Sequence, residues 1–107
     1  MKIRLVFGLA PILLSLTTAC ASHPSIEDAT RQFMGAFCEK AESCNHDGFT
    51  ALYPGGRQAC VQQEVDRIGD KSADAKCTTS ELDACTSDIK NLGCDAVRLP
   101  SSCSKCG

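Results

Sequence analysis

Residues 25–44 read Ser-Ile-Glu-Asp-Ala-Thr-Arg-Gln-Phe-Met-Gly-Ala-Phe-Cys-Glu-Lys-Ala-Glu-Ser-Cys, and this stretch decides the fold class. Apolar residues stand at Ile26, Ala29, Phe33, Phe37, Ala41 and Cys44, with Met34 and Cys38 flanking the same stripe. Steps of three and four residues place these side chains on one face of an α-helix. Ser25 followed by Asp28 has the form of a capping box, and Glu27 and Asp28 set negative charge at the positive end of the helix dipole. The spacing predicts a helix of about five turns, with Cys38 and Cys44 near its buried face. Asn45-His46-Asp47-Gly48 is expected to end it.

Two further helices follow from the same reasoning. Phe49 to Tyr53 is a short apolar patch, room for one helical turn, before Pro54-Gly55-Gly56 breaks the chain. From Arg57, residues Cys60, Val61, Val65 and Ile68 recur at helical intervals, and Gly69 suits a C-terminal cap. Residues 70–76 read as a solvated connection. Thr78 and Glu81 form a second possible capping box, ahead of Leu82, Cys85, Ile89 and Leu92, with Gly93 placed to stop the helix. From Cys94 to Gly107 the sequence is expected to be irregular. Three short helices and no alternating strand pattern predict an all-α domain.

The other end of the chain has a different character. Met1-Lys2-Ile3-Arg4 precedes an apolar run from Leu5 to Leu16, and then Thr17-Thr18-Ala19 leads to Cys20. A basic start, about a dozen apolar residues and small residues at the end define a secretory signal. The run is shorter than the roughly 20 apolar residues a spanning helix needs. Residues 1–19 are therefore expected to be removed, leaving Cys20 and a tether through Pro24 ahead of a domain at 25–107.

What remains is about 88 residues, one domain at most. With Lys2 and Arg4 gone it holds nine Lys and Arg against thirteen Asp and Glu. Interspersed charge of this sign argues against nucleic acid or an anionic membrane as a charge-driven partner, since both need clustered cations. The chain has no Trp, one Tyr and four Phe, of which Phe7 leaves with the signal. Such a small core is marginal, and disulfides at about 2–4 kcal/mol each make up the shortfall. Cys38, Cys44, Cys60, Cys77, Cys85, Cys94, Cys103 and Cys106 are expected to form four bridges, since export permits them. Eight cysteines allow 105 connectivities, and spacing does not choose among them.

Other chemistry finds weaker footing. Cys103-Ser-Lys-Cys106 has the spacing of a redox or zinc motif, but no strand and helix frame it, as a lowered thiol pKa requires. Gly107 stands where a haem-attachment motif needs His. His23 and His46 lack the paired spacing of zinc ligands. The carboxylates Glu39, Glu42, Glu64, Asp66, Asp83 and Asp88 fall on polar helix faces. Pro54-Gly-Gly-Arg57 lacks the Lys-Ser/Thr of a phosphate loop, and no Gly-x-Ser-x-Gly occurs. A domain of this size also has little room to enclose a ligand pocket of about 300 Å³ or more. No catalytic residue, cofactor or metal is expected.

Leu16-Thr17-Thr18-Ala19-Cys20 resembles the lipobox of bacterial lipoproteins, with Leu16 one place further upstream than that family favours. The resemblance implies a lipid on the Cys20 thiol and cleavage before it. Ordinary secretion is the alternative, because Ala19-Cys20-Ala21 also fits a cleavage site, with cutting before Ser22. Either route leaves eight cysteines. Further along, Phe37-Cys38-Glu39-Lys40-Ala41-Glu42-Ser43-Cys44, Tyr53-Pro54-Gly55, Leu82-Asp83-Ala84-Cys85 and Leu99-Pro100-Ser101-Ser102-Cys103 are similar to the small cysteine-rich lipoproteins of myxobacteria and their relatives. That group carries no assigned activity. The resulting expectation is a monomeric, non-enzymatic protein held to the bacterial outer membrane through acylated Cys20 and presenting its domain for protein contacts. The alternatives are a freely secreted inhibitor or binder, and a zinc or thiol-redox protein using Cys103 and Cys106.

Overall fold

The computed structural model describes residues 22–106. The signal-type segment, Cys20 and Ala21 lie outside the described residues. Helix α1 spans Ile26–Cys44 and starts as the sequence leads one to expect: Ser25 is extended and its hydroxyl accepts the Asp28 amide at 3.1 Å. Its break is a single residue. Asn45 leaves helical geometry, and its side chain accepts the Gly48 amide at 3.1 Å, so that the stop for α1 is also the N-cap of a new helix, α2 (His46–Leu52). The polar run 45–48 thus bends the chain instead of unwinding it, and the apolar patch at 49–53 belongs to a seven-residue helix.

The turn that follows needs its glycines. Gly56 has φ +84°, a conformation that side chains with a Cβ rarely adopt, and its amide donates to the Tyr53 carbonyl at 2.9 Å. Helix α3 runs from Arg57 to Asp66. It stops before Gly69, because the amides of Arg67 and Ile68 turn back three residues to Glu64 and Val65 and tighten the last turn. Helix α4 spans Thr79–Lys90, and there the capping box is complete: Thr78 accepts the Glu81 amide and the Glu81 carboxylate accepts the Thr78 amide. The C-terminal segment, expected to be irregular, contains a short 3₁₀ helix at Ser101–Lys105.

α1 is the axis of the molecule. α4 packs beside it in the same direction: Leu82 lies with Ile26 and Ala29, Cys85 and Ile89 lie with Ala36, and Cys44 is bonded to Cys94. α3 packs antiparallel on another side, with Arg57 reaching Glu39 and Glu42, Cys60 bonded to Cys38, and Gln62 accepting from Arg31. The domain is all-α. Among the described residues the only extended pairing is an isolated antiparallel bridge between Ser25 and Asp74.

The core is divided among cystines. One cluster joins Ala36, Ile89, Cys85 and Cys103; another joins Cys38, Cys60 and Phe49; a third joins Ala75, Cys77 and Leu82. Phe33 touches the first and the third. Leu82, Ile89 and Val65 are fully buried, each contributing about 1.5–3 kcal/mol through its side chain. Sulfur atoms therefore fill positions that larger aliphatic side chains hold in bigger domains, which is how so few aromatic residues suffice.

Candidate functional site

All eight cysteines from 38 onward are paired. The bridges are Cys38–Cys60, Cys44–Cys94, Cys77–Cys106 and Cys85–Cys103. The first ties α1 to α3, and the second ties the end of α1 to the loop after α4. The other two fasten the C-terminal segment across the start and middle of α4. Cys103 and Cys106, three residues apart, are joined to two different partners and not to each other. A redox or zinc site at this motif thus has no thiol to work with while the bridges stand. Among the described residues no group of three or more His, Cys, Asp or Glu is disposed to hold a metal ion.

The segment read as a tether is attached along its described length. The Ser22 carbonyl accepts the Thr79 amide at 2.9 Å, and the Thr79 hydroxyl lies 3.4 Å from the same oxygen. The Pro24 carbonyl accepts the Ala75 amide at 2.8 Å; the Ile26 and Glu27 amides donate to the carbonyls of Ala73 and Lys71 at 2.7 and 3.2 Å. His23 Nδ1 is 3.0 Å from the Ala75 carbonyl, which can only accept, so that nitrogen carries a proton. Residues 22–27 therefore run antiparallel to 71–79, which takes in most of the stretch 70–76 read as a solvated connection. Thr79 is the first residue of α4, where the amide has no partner within the helix, and Ser22 supplies one. Sequence periodicity could not show this, since every bond but those of the His23 ring and the Thr79 hydroxyl uses backbone alone. Pro24 and the extended N-cap Ser25 are the only hints that this stretch is straight.

The ionisable groups are arranged as surface pairs. Arg57 lies 2.6 Å from Glu42 and 3.2 Å from Glu39, bridging α3 to α1, and its pKa is raised, chiefly by the hydrogen bond to Glu42. Glu81 is held below its usual pKa, first by the bond from the Thr78 amide, with a smaller contribution from Lys105 at 3.7 Å. His46 is the first residue of α2 and lies 3.9 Å from Glu42 at the surface.

Among the described residues three concavities open on the surface, one of them, of about 610 Å³, between α1 and α3 beside Arg31, Gly35, Arg57 and Val61. A groove of about 580 Å³ runs between α1, residues 74–77 and the C-terminal segment, with a floor of Ile26, Ala29, Phe33, Leu82 and the Cys77–Cys106 bridge. Its volume exceeds what so small a chain is expected to enclose, because it is an open channel and not an enclosed cavity. A shallower one of about 290 Å³ lies toward the other end, where Phe37, Val97 and Leu99 are exposed beside Lys40 and Arg98. Val97 is 92% exposed and Leu52, on α2, is 75% exposed. Among the described residues no helix is long and apolar enough to cross a membrane. Comparison with family models, curated proteins and solved structures finds no match to this chain.

Proposed function

We propose that this chain is a non-enzymatic lipoprotein of the bacterial cell envelope, anchored by acyl chains on Cys20 and presenting its disulfide-stabilised domain for protein contacts. The observation that carries this reading is the bridge set. The four disulfides use all eight later cysteines, so the fold has no need of the ninth, which stands where the apolar signal ends and small residues begin. A thiol at that position suits lipid attachment. Each buried methylene contributes about 0.8 kcal/mol, and two or three chains hold a protein at a bilayer where one does not. Ala21, not Asp, follows Cys20, and the sorting preference of bacterial lipoproteins then favours the outer membrane. The exposed side chains Phe37, Val97 and Leu99 are the part of the surface with most to gain from being covered by a partner.

Intact mass of the protein recovered from the envelope tests the anchor. The expected species begins at Cys20 and carries the mass of a diacylglyceryl group, with or without a further acyl chain on the amine. A polypeptide beginning at Ser22 overturns the reading in favour of free secretion.

A further inference from the structure

We propose that the domain rests directly on the lipid headgroups, through the face around Ser22, His23, Lys76, Thr79, Ser80 and Lys105. This rests on the lipid anchor at Cys20 and adds the surface that meets the bilayer. The chain is fixed at Ser22 by the Thr79 amide and again at Pro24 by the Ala75 amide. Only Cys20 and Ala21 separate the lipid from that fixed point. Two residues of backbone span no more than about 7 Å even when fully extended. The start of α4 is therefore held within a headgroup's depth of the membrane, with no flexible leash to let the domain stand off.

The chemistry of the face agrees with this placement. All six of those residues are exposed and none is apolar, apart from the ring carbons of His23 and the aliphatic stems of the two lysines. Lys105 pairs with Glu81 at the same end. Such a surface suits the hydrated headgroup layer and not the hydrocarbon beneath it. The two most exposed apolar residues lie elsewhere: Leu52 is on α2, and Val97 lies beside the Cys44–Cys94 bridge. α1, with 19 residues, separates the two ends by about 28 Å. Holding one end to the lipid leaves the other for a partner.

The test uses the acylated protein in lipid nanodiscs containing a small fraction of lipid with a gadolinium chelate on its headgroup. Amide relaxation is then compared at the two ends. The expected result is a several-fold greater enhancement at Lys76, Ser80 and Lys105 than at Thr50 and Ala51. A flexible Gly-Ser insert of about twelve residues between Ala21 and Ser22 is expected to remove most of that contrast. Equal enhancement at both ends of the unmodified protein overturns the proposal, as does a contrast that survives the insert. The anchor itself is judged separately by intact mass. Where the envelope protein proves unacylated, the same measurement is made on the oxidised chain from Cys20 to Gly107, coupled through the Cys20 thiol to a maleimide lipid, and orientation is decided there alone.

Discussion

The carbonyl of Ser22 accepts the amide of Thr79 at 2.9 Å, so the residue two places after Cys20 closes the open end of α4. This bond and the Pro24–Ala75 bond make the N-terminal segment part of the fold. The amides of Thr79 and Ala75 are accordingly expected to exchange slowly with solvent, although a helix N-terminus and a connecting loop ordinarily exchange fast. A chain beginning at Ile26 loses both acceptors and the Ser25 cap. It is expected to be less stable by about 2–3 kcal/mol, at roughly 1 kcal/mol for each lost interaction. Hydrogen exchange read by NMR on the two chains checks this, and fast exchange at Thr79 and Ala75 in the longer chain would count against the pairing.

The bridges differ in burial more than in the entropy they remove. The loops they close span 18 to 50 residues, and the chain-entropy model gives each about 3–4 kcal/mol, rising only logarithmically with length. Cys38 and Cys60 are buried together beneath Phe49, whereas Cys94 is exposed. Access of the attacking thiolate, and not loop length, is then expected to set the order of reduction. Cys44–Cys94 should open first and Cys38–Cys60 last under a limiting thiol reductant. Alkylation of the intermediates followed by peptide mass mapping reads the order directly.

Helices were legible in this sequence wherever an apolar stripe met a polar cap. Ser25 and the Thr78–Glu81 pair both act at their helix starts, and the stripe from Ile26 to Cys44 is continuous helix. Asn45 was harder to read, because the same side chain that interrupts α1 caps α2, and a run rich in Asn, Asp and Gly looks like a loop in either role. Bridge connectivity was not legible at all. Cys103 and Cys106 are three residues apart and go to different partners, since one 3₁₀ turn sets them on the same face about 6 Å apart, one over Cys85 in α4 and the other over Cys77 ahead of it. The docking of residues 22–27 left no trace either, as carbonyls and amides are common to every residue.

Glu81 gives the fold a pH dependence whose sign follows from its surroundings. Its carboxylate accepts the Thr78 amide at 2.9 Å with Lys105 nearby, and both favour the ionised form, holding its pKa in the folded protein below the unfolded value. A carboxyl depressed in this way stabilises the fold fully above its unfolded pKa, about 4.3, and the contribution is lost as pH falls through the folded value. At neutral pH, Glu81→Gln is expected to unfold at lower denaturant than the parent. Well below the carboxylate range the two midpoints should converge, because a protonated glutamate and a glutamine offer the Thr78 amide the same kind of oxygen. Denaturant midpoints measured across that range decide it, and a gap independent of pH would show that charge plays no part.

Two leucines separate what holds the domain together from what it shows to its surroundings. Leu82 is 2% exposed and packs against Cys77, Ala75 and the first turn of α1, while Leu52 is 75% exposed at the end of α2. Leu82→Ala removes three buried carbons from a core already thin in apolar volume, where the neighbouring cystines cannot collapse into the void. It is expected to cost about 2–5 kcal/mol, a large part of the total stability of so small a domain. Leu52→Ala is expected to stay within about 0.5 kcal/mol of the parent. Urea unfolding of both variants with bridges intact reads these values. A loss at Leu52 comparable to that at Leu82 would mean that α2 is packed against something in the isolated protein, and the end of the molecule assigned here to a partner would already be covered.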